Sequence, residues 1–124
     1  ISLFVGGVGI MNTMYTSVLE RTKEIGVMKA LGAKNSHVMA LFLVESGIYG
    51  FGGGLIGAII GIGFAKLVEA IFLIAVGPAF LLIEIDWILV LGTLLFSFIV
   101  GCLSGIAPAR RASKLHPVDS LRYE

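Results

Sequence analysis

The chain has 124 residues, of which 57% are hydrophobic and only 14% are charged. Soluble domains carry roughly 25% charged residues, and a domain of this size leaves much of its surface in water, so the composition excludes an ordinary soluble fold. The net charge is only +1, but of the nine Lys and Arg residues all except Lys66 lie within residues 21–34 or 110–122. Because Lys and Arg beside spanning segments stay in the cytoplasm, this pattern predicts a membrane protein whose two basic segments are both cytoplasmic.

The first apolar stretch, residues 1–19, is predicted to be a transmembrane helix. A span needs about 20 residues at a rise of about 1.5 Å each. The sequence starts at Ile1 inside this stretch, with neither Met nor the pattern of a signal peptide. We therefore expect a fragment of a longer protein whose first helix is truncated. Residues 20–37, which hold the first basic segment, form the predicted cytoplasmic loop.

The second predicted span covers residues 38–66 and carries one internal charge, Glu45. We expect Asn35 or Ser36 to cap its start, because these side chains accept hydrogen bonds from free backbone N–H groups. Residues 67–86 then form an extracytoplasmic connection without Lys or Arg, in which Gly77 and Pro78 predict a turn. This connection is unusually apolar, so we expect it to lie at the membrane interface or against the protein, and the alternative is a fourth, half-length hydrophobic segment.

The third predicted span, residues 87–107, contains no charged residue. Asp86 is the expected N-cap and Trp87 the expected anchor at the membrane interface. Pro108 is expected to end the helix, because proline cannot continue the backbone hydrogen bonding, and residues 108–124 form a cytoplasmic tail. The predicted fold is therefore an all-α membrane protein of three transmembrane helices, with a short cytoplasmic helix and a cytoplasmic C-terminal tail.

Small residues recur at four-residue spacing in the second and third spans, so each set lies along one helix face. Small side chains allow two helix backbones to approach closely in lipid. We expect these stripes to pack the two spans on each other or on a partner copy. The stripes comprise Gly53, Gly57 and Gly61, a second row of Gly50 and Gly54, and, on the third span, Thr93, Ser97, Gly101 and Gly105.

The cytoplasmic loop contains a predicted short helix over residues 20–31, ended by Gly32. Val27, Met28 and Leu31 share one side of it. The pattern alone leaves three interpretations open: an interfacial helix on anionic lipid, a solvated connector, or a helix that docks in a groove of a soluble partner.

Several motifs, in chain order, resemble the FtsX-like permease family, which includes MacB-type and lipoprotein-releasing ABC transporter subunits. The tail and the Glu-Arg-Thr loop are the specific ones. The motifs are Val5-Gly-Gly-Val-Gly-Ile-Met-Asn12, Glu20-Arg-Thr-Lys-Glu-Ile-Gly26, Ala30-Leu-Gly-Ala33, Leu43-Val-Glu-Ser46, Pro108-Ala-Arg-Arg-Ala112 and Pro117-Val-Asp-Ser-Leu-Arg-Tyr-Glu124.

The resemblance implies a permease subunit of an ABC transporter in the cell membrane of a prokaryote. Family members have four spans and a large extracytoplasmic domain after the first, so this chain resembles the last three spans. They work as dimers with a cytoplasmic ATPase, whose motion they pass across the membrane for export or extraction of a substrate. The loop helix then becomes a coupling helix, with the expected ATPase contacts Glu20, Arg21, Lys23, Glu24, Ile25, Val27, Met28 and Leu31. Cell-division members of the family suggest an alternative: a transmembrane regulator that moves no substrate.

The sequence contains no phosphate-binding loop of the Gly-x-x-x-x-Gly-Lys-Ser/Thr type. We therefore expect ATP and Mg²⁺ on a partner ATPase and no catalytic, cofactor or metal residue in this chain. Cys102 is the only cysteine and is expected to pack as a small residue. Glu45 is an intramembrane acid, which suggests function by default. A structural or coupling role is favoured, because no second intramembrane carboxylate or His accompanies it for proton relay.

Overall fold

The computed structural model describes residues 1–77 and 83–115, which form four helices without a strand. The helices are α1 (Ser2–Glu20), α2 (Thr22–Ala30), α3 (Asn35–Val76) and α4 (Trp87–Ser113). Three of them, α1, α3 and α4, are long and apolar enough to cross a membrane. The predicted all-α fold with three spanning helices is confirmed. Pro78 and the tail beyond Leu115 lie outside the described residues.

One residue, Arg21, separates α1 from α2. The Thr22 hydroxyl donates to the carbonyl oxygens of Val18 and Leu19 at 3.0 and 2.9 Å, and so satisfies carbonyls at the end of α1. The Arg21 backbone leaves ideal helical geometry at φ −99° and ψ 16°. The short helix therefore begins as a separate element at the point where the apolar span ends.

α2 ends at the turn formed by Gly32, as the sequence predicts. The Ala33 N–H donates to the Met28 carbonyl and the Gly32 N–H to the Lys29 carbonyl, both at 3.0 Å. This pair of bonds is the Schellman arrangement, which needs a left-handed residue after the helix, and Gly32 supplies it at φ +96°. The chain then leaves α2 in a tight turn toward α3.

The predicted cap of α3 is wrong. Lys34, with an extended backbone at φ −72° and ψ 153°, occupies the N-cap position, and Asn35 is already the first helical residue. No side chain caps this end. The helix starts early because the turn at Gly32 delivers the chain into helical geometry immediately after Lys34, ahead of the polar residues expected to cap it.

α3 continues for 42 residues to Val76, ten residues past the predicted span, and ends at Gly77 with φ +95°. Its length is about 63 Å at about 1.5 Å per residue, against a hydrocarbon core of about 30 Å. Lys66 and Glu69 do not interrupt it, because they pair across one turn with Nζ 2.7 Å from Oε2. The first part of the predicted connection is therefore helical.

α4 confirms one predicted boundary and corrects the other. The Ile88 N–H donates to Asp86 Oδ1 at 2.9 Å, so Asp86 is the N-cap. Pro108 does not end the helix, which continues to Ser113. Proline removes its own hydrogen bond to the carbonyl four residues earlier, and its ring crowds that carbonyl, but Pro108, Ala109 and Ala112 are all buried. Packing of this last segment outweighs the local preference to stop.

The buried core lies at one end of the helix bundle. We call this the basic end, because it carries the first basic segment and, of the second, the described residues Arg110, Arg111 and Lys114. Along the middle and far parts of α3 and α4 large apolar side chains are exposed instead, as expected of helices that contact lipid. The fully buried apolar residues are Met14, Val18, Ile25, Val38, Phe42, Ala109 and Ala112.

Candidate functional site at the basic end

The helix α2 presents one side to the bundle and the other outward. Ile25 and Gly26 are buried, and Met28 packs partly against the core. Val27 is 44% exposed and Leu31 84% exposed, and they lie one helical turn apart on the outer side.

Of the eight residues predicted to contact an ATPase, six therefore have exposed side chains. Ile25, with no exposed surface, is directed into this chain's own core, and Met28 only partly reaches the surface. The exposed members are Glu20, Arg21, Lys23, Glu24, Val27 and Leu31.

Lys29 joins α2 to the end of α4. Its Nζ donates to the carbonyl oxygens of Ser113 and Leu115 at 2.5 and 2.7 Å. The last carbonyls of a helix have no intrahelical partner and carry partial negative charge that favours a cation. The contact brings the first basic segment and the described start of the second to the same end of the bundle.

Arg21 joins the junction of α1 and α2 to α3. Its Nη1 lies 3.5 Å from Glu45 Oε1, and the two side chains are 52% and 23% exposed. The acid that the sequence places inside a span therefore has a basic partner. Because arginine stays protonated, this pairing favours a structural or coupling role for Glu45 over proton relay.

A third polar contact links α4 back to α1. The Arg111 guanidinium carbon lies 5.7 Å from the centroid of the Tyr15 ring, within the range of a cation–π interaction. Together with the contacts of Lys29 and Arg21, it connects all four helices through polar contacts at the basic end. The sequence indicated the charges but not these partners, because the partners depend on how distant helices pack.

The backbones of α3 and α4 touch where small residues face each other. A Cβ atom added to Gly101 would lie 2.5 Å from the Ser46 carbonyl oxygen and 3.0 Å from the Gly50 Cα. Gly47, Gly54, Ser97 and Gly105 belong to the same close contact. Of the predicted stripes, the row of Gly50 and Gly54 on α3 and the Ser97, Gly101 and Gly105 part of the α4 row lie in this contact. Thr93 is exposed and its hydroxyl bonds within α4.

The row of Gly53, Gly57 and Gly61 does not take part in this contact. A Cβ atom added to any of the three would meet no atom within 4 Å. The sequence offered two glycine rows on α3, and the structure uses the other one, together with Ser46 and Gly47. Ser46 was missed, although it continues the four-residue spacing of Gly50 and Gly54.

A polar groove of about 400 Å³ lies beside the second half of α1. The Thr13 and Thr16 hydroxyls donate to carbonyls of their own helix, at Gly9 and Asn12. Exposed polar side chains on a spanning helix are typical of contacts with another helix. The lining residues are Asn12, Thr13, Thr16, Ser17, Glu20, Arg21 and Tyr49.

The geometry of the described residues contains the features of a membrane component. Across residues 1–77 and 83–115, no group of three His, Cys, Asp or Glu side chains could hold a metal ion. Cys102 is a free thiol whose Sγ lies 3.4 Å from the Leu43 carbonyl oxygen, within the contact of α3 and α4. The three apolar helices and the charged basic end define a multi-pass membrane protein.

Comparison with known proteins identifies the family. A family model described as FtsX-like permease C-terminal matches residues 1–117. The chain is 48% identical over 126 residues to the uncharacterized ABC transporter permease MJ1507 of Methanocaldococcus jannaschii, covering 100% of this chain and 31% of that protein. It is 48% identical to the uncharacterized ABC transporter permease YknZ of Bacillus subtilis, covering 100% and 30%.

A third relative is the macrolide export ATP-binding/permease protein MacB of Bdellovibrio bacteriovorus. The identity is 45%, over 100% of this chain and 18% of that protein. The chain belongs to the FtsX-like permease family, which confirms the resemblance seen in the motifs. It spans less than a third of the length of these relatives.

Proposed function

We propose that this chain is the membrane part of an ABC transporter permease that transmits ATP-driven motion from a cytoplasmic ATPase, for export or extraction of a substrate. The observation that supports the proposal is that α2 has one side packed in the bundle and one side exposed. Its inner side is held by the core and by the end of α4, while Val27 and Leu31 remain exposed among charged residues. An exposed apolar pair with a polar rim is suited to a protein partner.

In this proposal α2 is the coupling helix. Val27 and Leu31 enter a groove of the ATPase, and the charged side chains around them set orientation. ATP and Mg²⁺ bind to the ATPase and not to this chain. The relatives named above come from bacteria and an archaeon, which supports a location in the cell membrane of a prokaryote.

A second permease copy is part of the same proposal. The polar groove beside α1 is its docking place, because polar side chains form hydrogen bonds between helices within a membrane. Asn12→Leu removes the exposed amide from that groove. The expected result is a loss of dimer in native mass spectrometry of the detergent-solubilised protein, and an unchanged dimer would contradict this part of the proposal.

The coupling role is tested with the double variant Val27→Ser/Leu31→Ser in the full-length protein. Both side chains are exposed, so the variant should insert and fold normally. We expect loss of co-purification with the ATPase and loss of ATPase stimulation by the permease in proteoliposomes. His37→Ser is the matched control, since His37 is exposed in the first turn of α3, outside α2. Normal co-purification of the double variant would overturn the docking assignment.

A transport assay distinguishes an exporter from a regulator that moves no substrate. Erythromycin, a macrolide, serves as the probe because one relative is named for macrolide export. ATP-dependent uptake of erythromycin into inverted vesicles would support export of this class. If the double variant loses ATPase stimulation while the wild type moves no erythromycin, lipoprotein release or the regulatory alternative becomes the next assignment to test.

A further inference from the structure

We propose that Lys29 is a positioning residue that makes α4 move with α2. The inference rests on the proposed function, since it assigns the step by which displacement of the coupling helix reaches a distant span. It concerns the inner side of α2, whereas docking of the ATPase concerns the outer side.

The chain links α2 directly to α1 and α3 but not to α4. α2 is joined through the chain to α1 at Arg21 and to α3 through the turn at Gly32. No such link joins it to α4, whose last residue, Ser113, is 84 positions beyond Lys29. Any displacement of α2 therefore reaches α4 through noncovalent contacts, and their strength decides whether the two helices move together.

Lys29 forms a polar contact between α2 and the end of α4. One ammonium group donates to two carbonyl oxygens, of Ser113 and Leu115, at the point where α4 ends. A charged donor makes stronger hydrogen bonds to carbonyl oxygens than a neutral donor does. Lys29 is also only partly exposed, so water competes less for the ammonium group than it would at an exposed site. The contact fixes both position and direction of the α4 terminus relative to α2.

α4 packs both in the buried core and against α3. Its buried residues Ala109 and Ala112 share the core cluster with Ile25 of α2. Further along, α4 lies backbone to backbone on α3, through Gly101 and Gly50. A shift of the α4 terminus is therefore passed along a closely packed helix pair and is not absorbed by flexible side chains.

The test measures the distance between α2 and α4 directly. Spin labels are attached at Ala30→Cys on α2 and Arg110→Cys on α4, both exposed positions, in a Cys102→Ser background. Double electron–electron resonance is recorded on the full-length permease with its ATPase, without nucleotide and with trapped ATP. With Lys29 present, we expect one distance that nucleotide does not change. With Lys29→Met, we expect a broadened distribution that shifts with nucleotide, since loss of the bonds lowers the population of the docked arrangement by about tenfold or more.

Two variants separate this role from general stabilisation. Lys29→Arg keeps the charge and N–H donors and is expected to preserve the wild-type distance. Lys114→Met removes one positive charge at the same helix end from an exposed side chain, and it should leave the distance and the ATPase stimulation unchanged. The melting temperature of each variant identifies any that is merely unfolded.

The outcomes distinguish this inference from the proposed function. If the wild type neither binds nor stimulates an ATPase, the proposed function fails. If the wild-type permease stimulates the ATPase, and Lys29→Met keeps both this stimulation and the nucleotide-independent distance, then only the assignment of Lys29 is overturned. Retained ATPase binding with lost stimulation in Lys29→Met, together with the altered distance, supports it.

Discussion

Gly50 and Gly101 bring the backbones of two spanning helices into direct contact. A Cβ atom added to Gly50 would lie 2.9 Å from the Gly101 Cα, a separation that real side chains do not tolerate and that backbone cannot readily relieve. In lipid, where apolar side chains gain little by leaving the solvent, close packing of this kind is a main source of helix association. The pair therefore fixes where α3 and α4 meet.

We predict that Gly50→Ala and Gly101→Ala each destabilise the protein by about 1–3 kcal/mol, the usual cost of overpacking. The measurement is the melting temperature in detergent, compared with the wild type. Gly57→Ala is the matched control, because its added Cβ would meet no atom within 4 Å, and alanine favours a helix by about 1 kcal/mol over glycine. Equal melting temperatures for Gly50→Ala and Gly57→Ala would show that the close contact is not where the structure places it.

The sequence alone could not show which of the two glycine rows on α3 packs against α4. Positions 50 and 53 lie only about 60° apart around a helix, so both rows predict a packing face, and only the position of α4 distinguishes them. Asp86 and Gly32, in contrast, act on neighbouring backbone groups and could be predicted correctly. Pro108 was mispredicted because burial of Ala109 and Ala112 outweighs its local effect. The partners of Lys29 and Arg21 could not be predicted, since they lie on other helices.

The Arg21 and Glu45 pair leads to a second prediction. Charge reversal of either residue should destabilise the protein, and the double variant Arg21→Glu/Glu45→Arg should recover part of the loss. For a partly exposed pair we expect a coupling free energy of about 0.5–1 kcal/mol. Melting temperatures of the four proteins complete the double-mutant cycle. Strictly additive effects would exclude an interaction between the two side chains.

Glu45→Gln tests the remaining alternative for the intramembrane acid. Glutamine keeps the shape and a hydrogen-bond acceptor but cannot exchange a proton. We expect this variant to retain ATPase stimulation with at most a modest reduction, because the role of Glu45 is to bind Arg21. Abolished activity with an unchanged melting temperature would favour the proton-relay role instead.

The N-cap of α4 gives a local prediction. Asp86→Ala leaves the Ile88 N–H without its acceptor and should cost about 1 kcal/mol, while Asp86→Ser should restore most of it. Glu84→Ala removes the same charge from an exposed side chain nearby, so it controls for electrostatics. Melting temperatures in detergent are the measurement, and equal losses for Asp86→Ala and Glu84→Ala would contradict a capping role.

The orientation of the chain leads to the last prediction. Ser36 and Lys66 lie on one helix, 30 residues or about 45 Å apart at about 1.5 Å per residue, which exceeds the hydrocarbon thickness of about 30 Å. They should therefore lie on opposite surfaces, with Ser36 on the surface of Lys114, since Lys29 holds the α4 terminus beside α2. Single-cysteine variants at the three positions, in a Cys102→Ser background, are labelled with a membrane-impermeant maleimide in intact cells. We expect labelling at position 66 alone, and at positions 36 and 114 only after the membrane is opened. Labelling of 36 and 114 from opposite surfaces would contradict both the shared basic end and the coupling role assigned to α2.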